Sequence, residues 1–244
     1  MVGDPLRAHR NINDYLIQAF VHGATPDARR ERRVLDLGCG DGRYAGVVAA
    51  KGYTVIGLDR RGTARQLIGD ASDLPFRDAV FEGILCTEVI EHLPDIDRAL
   101  ADAVRVLAPS GWLMLSCPFM YPLHEAPYDY TRLTEFGLQN LLGRHRIQVI
   151  QIARRGDLIA LLHTAIGVLM SGTAELASRK SWLPRAVTKW LNAALEISYR
   201  FHAQILARRP APPDALIGEG IVGVEAHLAS WTLGYCVLGR KADD

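Results

Sequence analysis

The sequence lacks several features that would assign it to a class at once. No stretch of the 244-residue chain reaches the roughly 20 apolar residues of a membrane-spanning helix, and residues 1–9 lack the apolar segment of a signal peptide. Its four cysteines form no Cys-x-x-Cys pair, and no group of histidines has the spacing of a zinc site. We therefore expect buried, free cysteines, no bound metal and a cytoplasmic protein.

The chain also has little net charge. Its formal charge is +1 at pH 7, whereas general nucleic-acid binders usually carry a strongly basic face. We therefore expect no nucleic-acid partner. Apolar residues make up 49% of the chain, enough to bury a sizeable core, and the length suits one α/β domain with an insertion.

Short apolar runs alternate with helical patterns along much of the chain. Such alternation is typical of βαβ units, so the sequence predicts an α/β fold with a doubly wound, mostly parallel, Rossmann-like sheet. The predicted strands are 34–37, 53–58, 65–68, 81–87, 112–117, 147–153 and 231–238, and the main helices between or before them are 11–21, 43–51 and 96–107.

A long helical segment interrupts this pattern before the last strand. We predict a core over 1–153, a helical insertion over 154–229, and the last strand and tail of the core over 230–244. Within the insertion, 183–209 is apolar on one side and net basic. That pattern fits peripheral contact with an anionic membrane surface, packing on the domain, or packing on a second subunit in a homodimer.

A glycine-rich turn follows the first strand and carries the clearest chemical signal. The turn spans 38–42 with the spacing G-x-G-x-G, which lacks the third glycine position of the dinucleotide fingerprint. Asp36 and Asp41 would repel a pyrophosphate there but attract a ligand that carries ammonium and sulfonium groups. Asp59 ends the next strand, where a carboxylate can accept ribose hydroxyls.

On these residues the chain resembles the class I S-adenosylmethionine-dependent methyltransferases, in particular their type 11 group. The resemblance covers 34–119 and the final strand. It implies that the glycine turn lies under the methionine part of the cofactor, that Asp59 binds the ribose, and that the motif 91–93 opens the next helix. The cofactor-binding residues that it implies are Asp36, Gly38, Cys39, Gly40, Gly42, Asp59, Asp70, Ala71, Thr87 and Glu88.

The loop 118–132 is the most individual part of the sequence. It follows the fifth predicted strand at the edge where such sheets bind ligands. One reading is a lid over the acceptor, with His124 or Glu125 as the catalytic base. The other reading is a rigid loop, in which Asp129 pairs with Arg132 and Thr134 caps the next helix.

The resemblance implies methyl transfer from S-adenosylmethionine by in-line displacement, and we expect a small-molecule or glycan acceptor. Since the methyl donor is already activated by its charge, the enzyme needs mainly to align the two reactants. Two alternatives stay open, namely a non-catalytic cofactor-binding partner protein and a lipid or quinone methyltransferase at a membrane surface. The acidic glycine turn disfavours a nicotinamide oxidoreductase.

Overall fold

The computed structural model describes residues 32–155 and 232–242, together with residues 158, 161–162, 164–165 and 193. The helices of this part are α1 (Ala45–Ala49), α2 (Ile96–Val106) and α3 (Glu135–Arg144), and a short 3-10 helix spans Ile90–His92. The strands are β1 (Arg33–Leu37), β2 (Thr54–Asp59), β3 (Leu67–Ile68), β4 (Phe81–Thr87), β5 (Leu107–Pro118), β6 (Ile147–Arg155) and β7 (Gly234–Lys241).

The seven strands form one sheet in the order β3-β2-β1-β4-β5-β7-β6. The strands from β3 to β5 pair in parallel, whereas β7 runs antiparallel to both β5 and β6. The structure therefore confirms the doubly wound, mostly parallel α/β fold. The strand order reverses between β1 and β4, and ligands of such sheets bind outside the carboxyl ends of the strands at this point.

Burial on both faces explains why the central strands are continuous apolar runs. Val34, Leu35, Ile84, Leu85 and Leu115 are each inaccessible to solvent. The four cysteines are buried and free, which confirms the expectation from their spacing. Helix α2 covers the sheet with Ala99, Leu100, Ala103 and Val106, which recur at helical spacing.

Several predicted boundaries are wrong, and side-chain contacts explain some of them. The third strand has only two residues, because Arg65 and Gln66 instead fix the loop before it: Arg65 Nη1 donates to the Arg61 carbonyl at 2.9 Å and Gln66 Oε1 accepts from Gly57 N. Helix α1 is shorter than the predicted 43–51 and begins after Tyr44. The fold places β7 at 234–241 rather than 231–238, and β6 continues to 155.

The start of the fifth strand also differs from the predicted position 112. Strand β5 begins already at Leu107, and residues 109–111 form an irregular stretch of it with Ser110 at a φ of +55°. The predicted helix 11–21 lies outside the described residues, as does the basic segment 183–209 apart from residue 193, which is helical. The described positions 158, 161–162 and 164–165 are helical, as predicted. None of the described helices is long and apolar enough to span a membrane.

Candidate functional site

Strands β1, β2 and β4 end at the same level of the sheet. Leu37 pairs with Leu58 on one side and with Cys86 on the other. The next residue on each strand therefore lies at one edge, and the predicted cofactor residues Gly38, Asp59 and Thr87 come together there. The parallel register alone produces this arrangement.

The glycine turn needs its glycines for two different reasons. Gly38, Gly40 and Gly42 all have positive φ, at +70°, +53° and +72°. A Cβ on Gly38 would lie 2.4 Å from Val89 Cγ2, and one on Gly42 would lie 2.6 Å from Ala64 Cβ, so these two positions are closed by packing. A Cβ on Gly40 would meet no described atom within 4 Å. The turn is thus open at Gly40, where a ligand can approach the backbone.

Asp59 ties this turn to the end of β2. Its Oδ2 accepts a hydrogen bond from Gly40 N at 2.9 Å, and its Oδ1 accepts from Arg61 N and Gly62 N, both at 2.7 Å. Partial burial raises the pKa of Asp59, but these backbone donors outweigh it and hold the pKa below its ordinary value. The carboxylate is therefore ionised, and it shapes the turn in addition to any contact with a ligand.

Asp36 is a buried acid beside the turn, with an exposed fraction of only 3%. Burial, and then the nearby charges of Asp59 and Asp41, raise its pKa to about 6. It does not cap the following helix, because α1 begins only after Tyr44. A cation would stabilise the charged form of this carboxyl group.

The remaining predicted cofactor residues flank this centre. Burial, and then Asp36, raise the pKa of the Cys39 thiol to about 11, so it is a neutral packing group, and its N–H donates to the Leu58 carbonyl at 3.3 Å. Asp70 follows β3 and accepts from Ser72 N at 2.8 Å, which fixes a tight turn. Ala71 in this turn is buried.

Glu88 forms an ion pair with Arg155 that no motif in the sequence predicts. Its carboxylate accepts from Arg155 Nη1 at 2.8 Å and Nη2 at 2.9 Å, and from Ser116 Oγ at 2.8 Å. The Arg155 side chain is only 7% exposed, whereas that of Glu88 is 40% exposed. The signal available in the sequence is the pair of arginines, Arg154 and Arg155, that follows the predicted sixth strand.

A cavity of about 190 Å³ opens beside Glu88. It brings together three predicted site residues, since His124 and Glu125 line it as well as Glu88. His92, Tyr121, Arg155 and Leu233 complete the lining. The predicted acceptor loop and the predicted cofactor edge therefore meet in this cavity.

The loop that carries His124 is held by a buried carboxylate. Asp129, whose side chain is 2% exposed, accepts from His124 N at 3.0 Å and from Arg132 Nη2 at 2.7 Å. The hydrogen bonds from Arg132 hold the pKa of Asp129 well below its usual range. Thr134 Oγ1 accepts from Gly137 N at 3.1 Å at the start of α3. The Asp129–Arg132 pair and the Thr134 cap are thus both confirmed, and they fix a loop that lines the cavity.

This loop is also joined to the 3-10 helix. Tyr130 N donates to the Glu91 carbonyl at 2.8 Å, and His92 Nδ1 lies 2.7 Å from the Tyr128 carbonyl oxygen. The motif 91–93 does not open the next helix, contrary to the expectation, because α2 begins at Ile96 with Asp95 as its cap. The motif instead places a buried acid and a histidine behind the cavity.

Glu91 is the least satisfied polar group of this region. Its side chain is fully buried, and neither carboxylate oxygen has a hydrogen-bond partner within the described part of the chain. Burial, and then the charge of Glu88, raise its pKa to about 8. Buried polar groups are nearly always hydrogen-bonded, so an unpaired carboxyl group calls for an explanation.

Comparison with known proteins agrees with this geometry. A family model described as a methyltransferase domain matches residues 7–165. A ubiquinone biosynthesis O-methyltransferase of Paracidovorax citrulli is 32% identical over 102 residues, which are 35% of this chain and 43% of the relative. A fatty-acid O-methyltransferase of Mycolicibacterium smegmatis is 34% identical over 162 residues, or 59% of this chain and 57% of the relative. The chain thus spans about half the length of these curated relatives.

Solved structures show the same fold. A 1,6-didemethyltoxoflavin-N1-methyltransferase of Burkholderia thailandensis, with bound 1,6-didemethyltoxoflavin and S-adenosylhomocysteine, superposes with a TM-score of 0.53 at 17% identity, covering 95% of this chain and 79% of that chain. The cyclase SpnF superposes with a TM-score of 0.52 at 18% identity, covering 95% and 81%. At such identities the likeness concerns the fold alone. Together, the family match and the shared fold show that the chain belongs to a methyltransferase-domain family of the class I S-adenosylmethionine-dependent enzymes.

Proposed function

We propose that this chain transfers a methyl group from S-adenosylmethionine to an oxygen atom of a small-molecule acceptor that binds in the cavity beside Glu88. The observation that carries the proposal is the juxtaposition of an open glycine turn and a cavity lined by ionisable side chains at one edge of the sheet. Two of the matched relatives are O-methyltransferases by name, which supports an oxygen as the methylated atom.

The residues of the edge fit the proposed cofactor. The buried Asp36 carboxylate, which has no ion-pair partner in the described part of the chain, suits the ammonium group of the methionine part. Gly40 leaves room for the ligand at the turn, and Asp59 keeps lone pairs beyond its three backbone bonds for the ribose. Asp70 and Ala71 would contact the adenine. When bound, S-adenosylmethionine supplies a methyl group on a positively charged sulfur.

His124 lines the cavity and is the first candidate base for a hydroxyl acceptor. Its Nδ1 lies 3.2 Å from Asp129 Oδ2 and 3.3 Å from the Pro122 carbonyl oxygen. Because both neighbours only accept hydrogen bonds, Nδ1 carries the proton and Nε2 of the neutral ring keeps its lone pair. Glu125 lines the same cavity and is the second candidate base.

The cavity also bears on the choice of acceptor. It combines ionisable side chains with the apolar surface of residues such as Tyr121 and Leu233, which fits an acceptor that carries both an apolar part and a polar group. Cytoplasmic location, membrane contact through 183–209 and a homodimer remain predictions.

The test is incubation of the full chain with methyl-labelled S-adenosylmethionine and a panel of phenols, carboxylic acids, quinols and sugars, followed by identification of the labelled atom. We expect label on oxygen. His124→Ala should lower transfer by about 100-fold if this residue is the base, whereas His145→Ala, which lies outside the cavity, should transfer normally. Label on nitrogen would contradict the oxygen acceptor, and S-adenosylhomocysteine binding without transfer to any acceptor in the panel or in a cell extract would favour the non-catalytic role.

A further inference from the structure

Three potential ligand atoms converge behind the cavity. Glu91 Oε1 lies 3.7 Å from His92 Nε2 and 3.9 Å from His124 Nε2, and one potential ligand atom from each of the three residues lies within 4.8 Å of the other two. These separations are too long for hydrogen bonds. They are close to the separation of about 3.4 Å between ligands that surround a tetrahedral ion at about 2.0–2.1 Å.

Both imidazole rings are turned so that their free nitrogen faces Glu91. His92 Nδ1 lies 2.7 Å from the Tyr128 carbonyl oxygen, and His124 Nδ1 lies near Asp129 Oδ2 and the Pro122 carbonyl oxygen. Since these oxygens only accept, Nδ1 is the donor in each ring. Histidine ligands of metal ions nearly always donate their other N–H to a carboxylate or a backbone carbonyl in this way.

The nearby cations do not serve as partners of Glu91. Arg132 donates to Asp129 through Nη1 and Nη2, and Arg155 donates to Glu88 through the same two atoms. Among the described residues, Glu91 therefore has a buried carboxyl group with no hydrogen bond, faced by two nitrogen lone pairs. Such an arrangement is unfavourable unless the carboxyl group keeps a proton or a further cation lies between the three groups.

We propose that Glu91 Oε1, His92 Nε2 and His124 Nε2 form a binding site for a divalent first-row metal ion, with Zn²⁺ as the representative. Two histidines and one glutamate are a ligand set that leaves a fourth position open in catalytic zinc sites. The proposal departs from the sequence expectation of no metal. The ligands escape a search for metal-binding spacing because His92 and His124 are 32 residues apart.

The open position of the site faces the cavity that His92 and His124 line together. With one carboxylate and two neutral imidazoles, the site keeps a net positive charge and would attract an anionic oxygen such as a phenolate or carboxylate. This assignment to the acceptor rests on the proposed function, whereas metal binding itself does not. In the loaded site His124 is a ligand and not a base, and Glu125 is then the cavity residue left to accept a proton.

The test uses the full chain without a polyhistidine tag, stripped of metal by a chelator and titrated with Zn²⁺ in a calorimeter. We expect one ion per chain with a dissociation constant of about 1 µM or tighter. Glu91→Gln keeps the volume of the side chain but removes its charge, and it should weaken binding at least tenfold, as should His124→Ala. Asp129→Asn should weaken binding by about 10- to 100-fold, because it acts through the orientation of His124.

His145→Ala is the matched control, because His145 Nε2 pairs with Asp97 at 2.8 Å away from the cavity. It should bind Zn²⁺ like the wild type. Zn²⁺ should also raise the melting temperature of the wild type and not that of Glu91→Gln. Absence of Zn²⁺ binding, or equal binding by the wild type, Glu91→Gln and His124→Ala, would overturn the proposal. Titration of the same samples with S-adenosylhomocysteine separates the two proposals, since loss of the metal site leaves the cofactor site intact.

Discussion

Asp59 Oδ2 accepts a hydrogen bond from Gly40 N at 2.9 Å, and this contact joins the strand end to the glycine turn. The same carboxylate holds Arg61 N and Gly62 N. An acid assigned to the ribose of the cofactor by family resemblance thus also shapes the turn that the cofactor approaches. The two roles are linked, because the backbone N–H groups that Asp59 binds also fix where its carboxylate lies relative to a ligand.

Asp59→Ala should therefore affect both the stability and the cofactor affinity of the protein. Three backbone donors lose their acceptor, so the free energy of unfolding should fall by about 1–2 kcal/mol after allowance for their solvent access. Affinity for S-adenosylhomocysteine should fall at least tenfold. Denaturant titration and calorimetry measure the two effects. Asp41→Ala is the control, because Asp41 is exposed in the same turn and should change stability little; an equal loss of stability in both variants would contradict this role of Asp59.

Asp36 should make stability depend on pH. Since burial raises its pKa to about 6, the folded protein retains a proton that the unfolded chain releases near pH 4. Stability from this group is therefore present at low pH and is lost as the pH rises towards 6. Asp36→Asn should raise the free energy of unfolding by about 3 kcal/mol at pH 7.5 and by less than about 1 kcal/mol at pH 4. An advantage that is the same at both pH values would contradict this assignment.

The same carboxyl group should make cofactor affinity depend on pH. An ammonium group favours the ionised form of Asp36, so binding below pH 6 requires loss of a proton. Affinity of the wild type for S-adenosylhomocysteine should rise as the pH increases from 5 to 7, and that of Asp36→Asn should be weaker and lack this rise. Calorimetry in buffers of different ionisation enthalpy would count the protons released. No proton release at pH 5.5 would place the ammonium group elsewhere.

Loss of Glu88 and loss of Arg155 should lower the free energy of unfolding by different amounts. Removal of Glu88 leaves a guanidinium that is 7% exposed without its counterion, whereas removal of Arg155 leaves a carboxylate that is 40% exposed and can be hydrated. Glu88→Ala should therefore lower the free energy of unfolding more than Arg155→Met does. Denaturant titration of the two variants measures both losses in the free energy of unfolding. A larger loss in Arg155→Met than in Glu88→Ala would contradict this prediction.

The loop that lines the cavity should depend on Arg132. In Arg132→Met the Asp129 side chain loses its cation, so the protein should lose about 1–2 kcal/mol of stability, since the pair lies in a surface loop, and most of its transfer activity, with little change in affinity for S-adenosylhomocysteine. Arg144→Ala removes an exposed arginine that pairs with Asp97 and should change neither property. Equal loss of cofactor affinity and activity in Arg132→Met would mean that the loop supports the cofactor site.

The sequence predicts which residues meet at the edge of the sheet better than it predicts the contacts between distant side chains around the cavity. Strands such as β1 and β4 are short apolar runs next to glycines, and their parallel register follows from the alternation with helices, so the meeting of Gly38, Asp59 and Thr87 could be foreseen. The Glu88–Arg155 pair spans 67 positions and depends on how β6 lies beyond β7 in the sheet. No local pattern carries such a distant contact.

The same limit applies to Glu91 and His92. Their motif is visible in the sequence, yet its burial results from the loop that returns through Tyr128 and Tyr130 to cover it. The short third strand is not visible in the apolar periodicity either, because the Gln66 side chain binds Gly57 N before pairing begins. The irregular start of β5 follows from a register shift in its pairing with β4, between Phe81 and Gly83.

The most direct test of the account is a comparison of S-adenosylhomocysteine binding by the wild type, Gly40→Ala and Gly38→Ala. Gly40→Ala adds a methyl group to open space at a φ of +53°, so it should fold with a loss of about 1 kcal/mol but bind at least tenfold more weakly. Gly38→Ala collides with Val89 and should lose more stability. We predict that the wild type binds S-adenosylhomocysteine with micromolar affinity and does not respond to NAD. Binding of NAD without a response to either adenosyl compound, or unchanged affinity in Gly40→Ala, would contradict it.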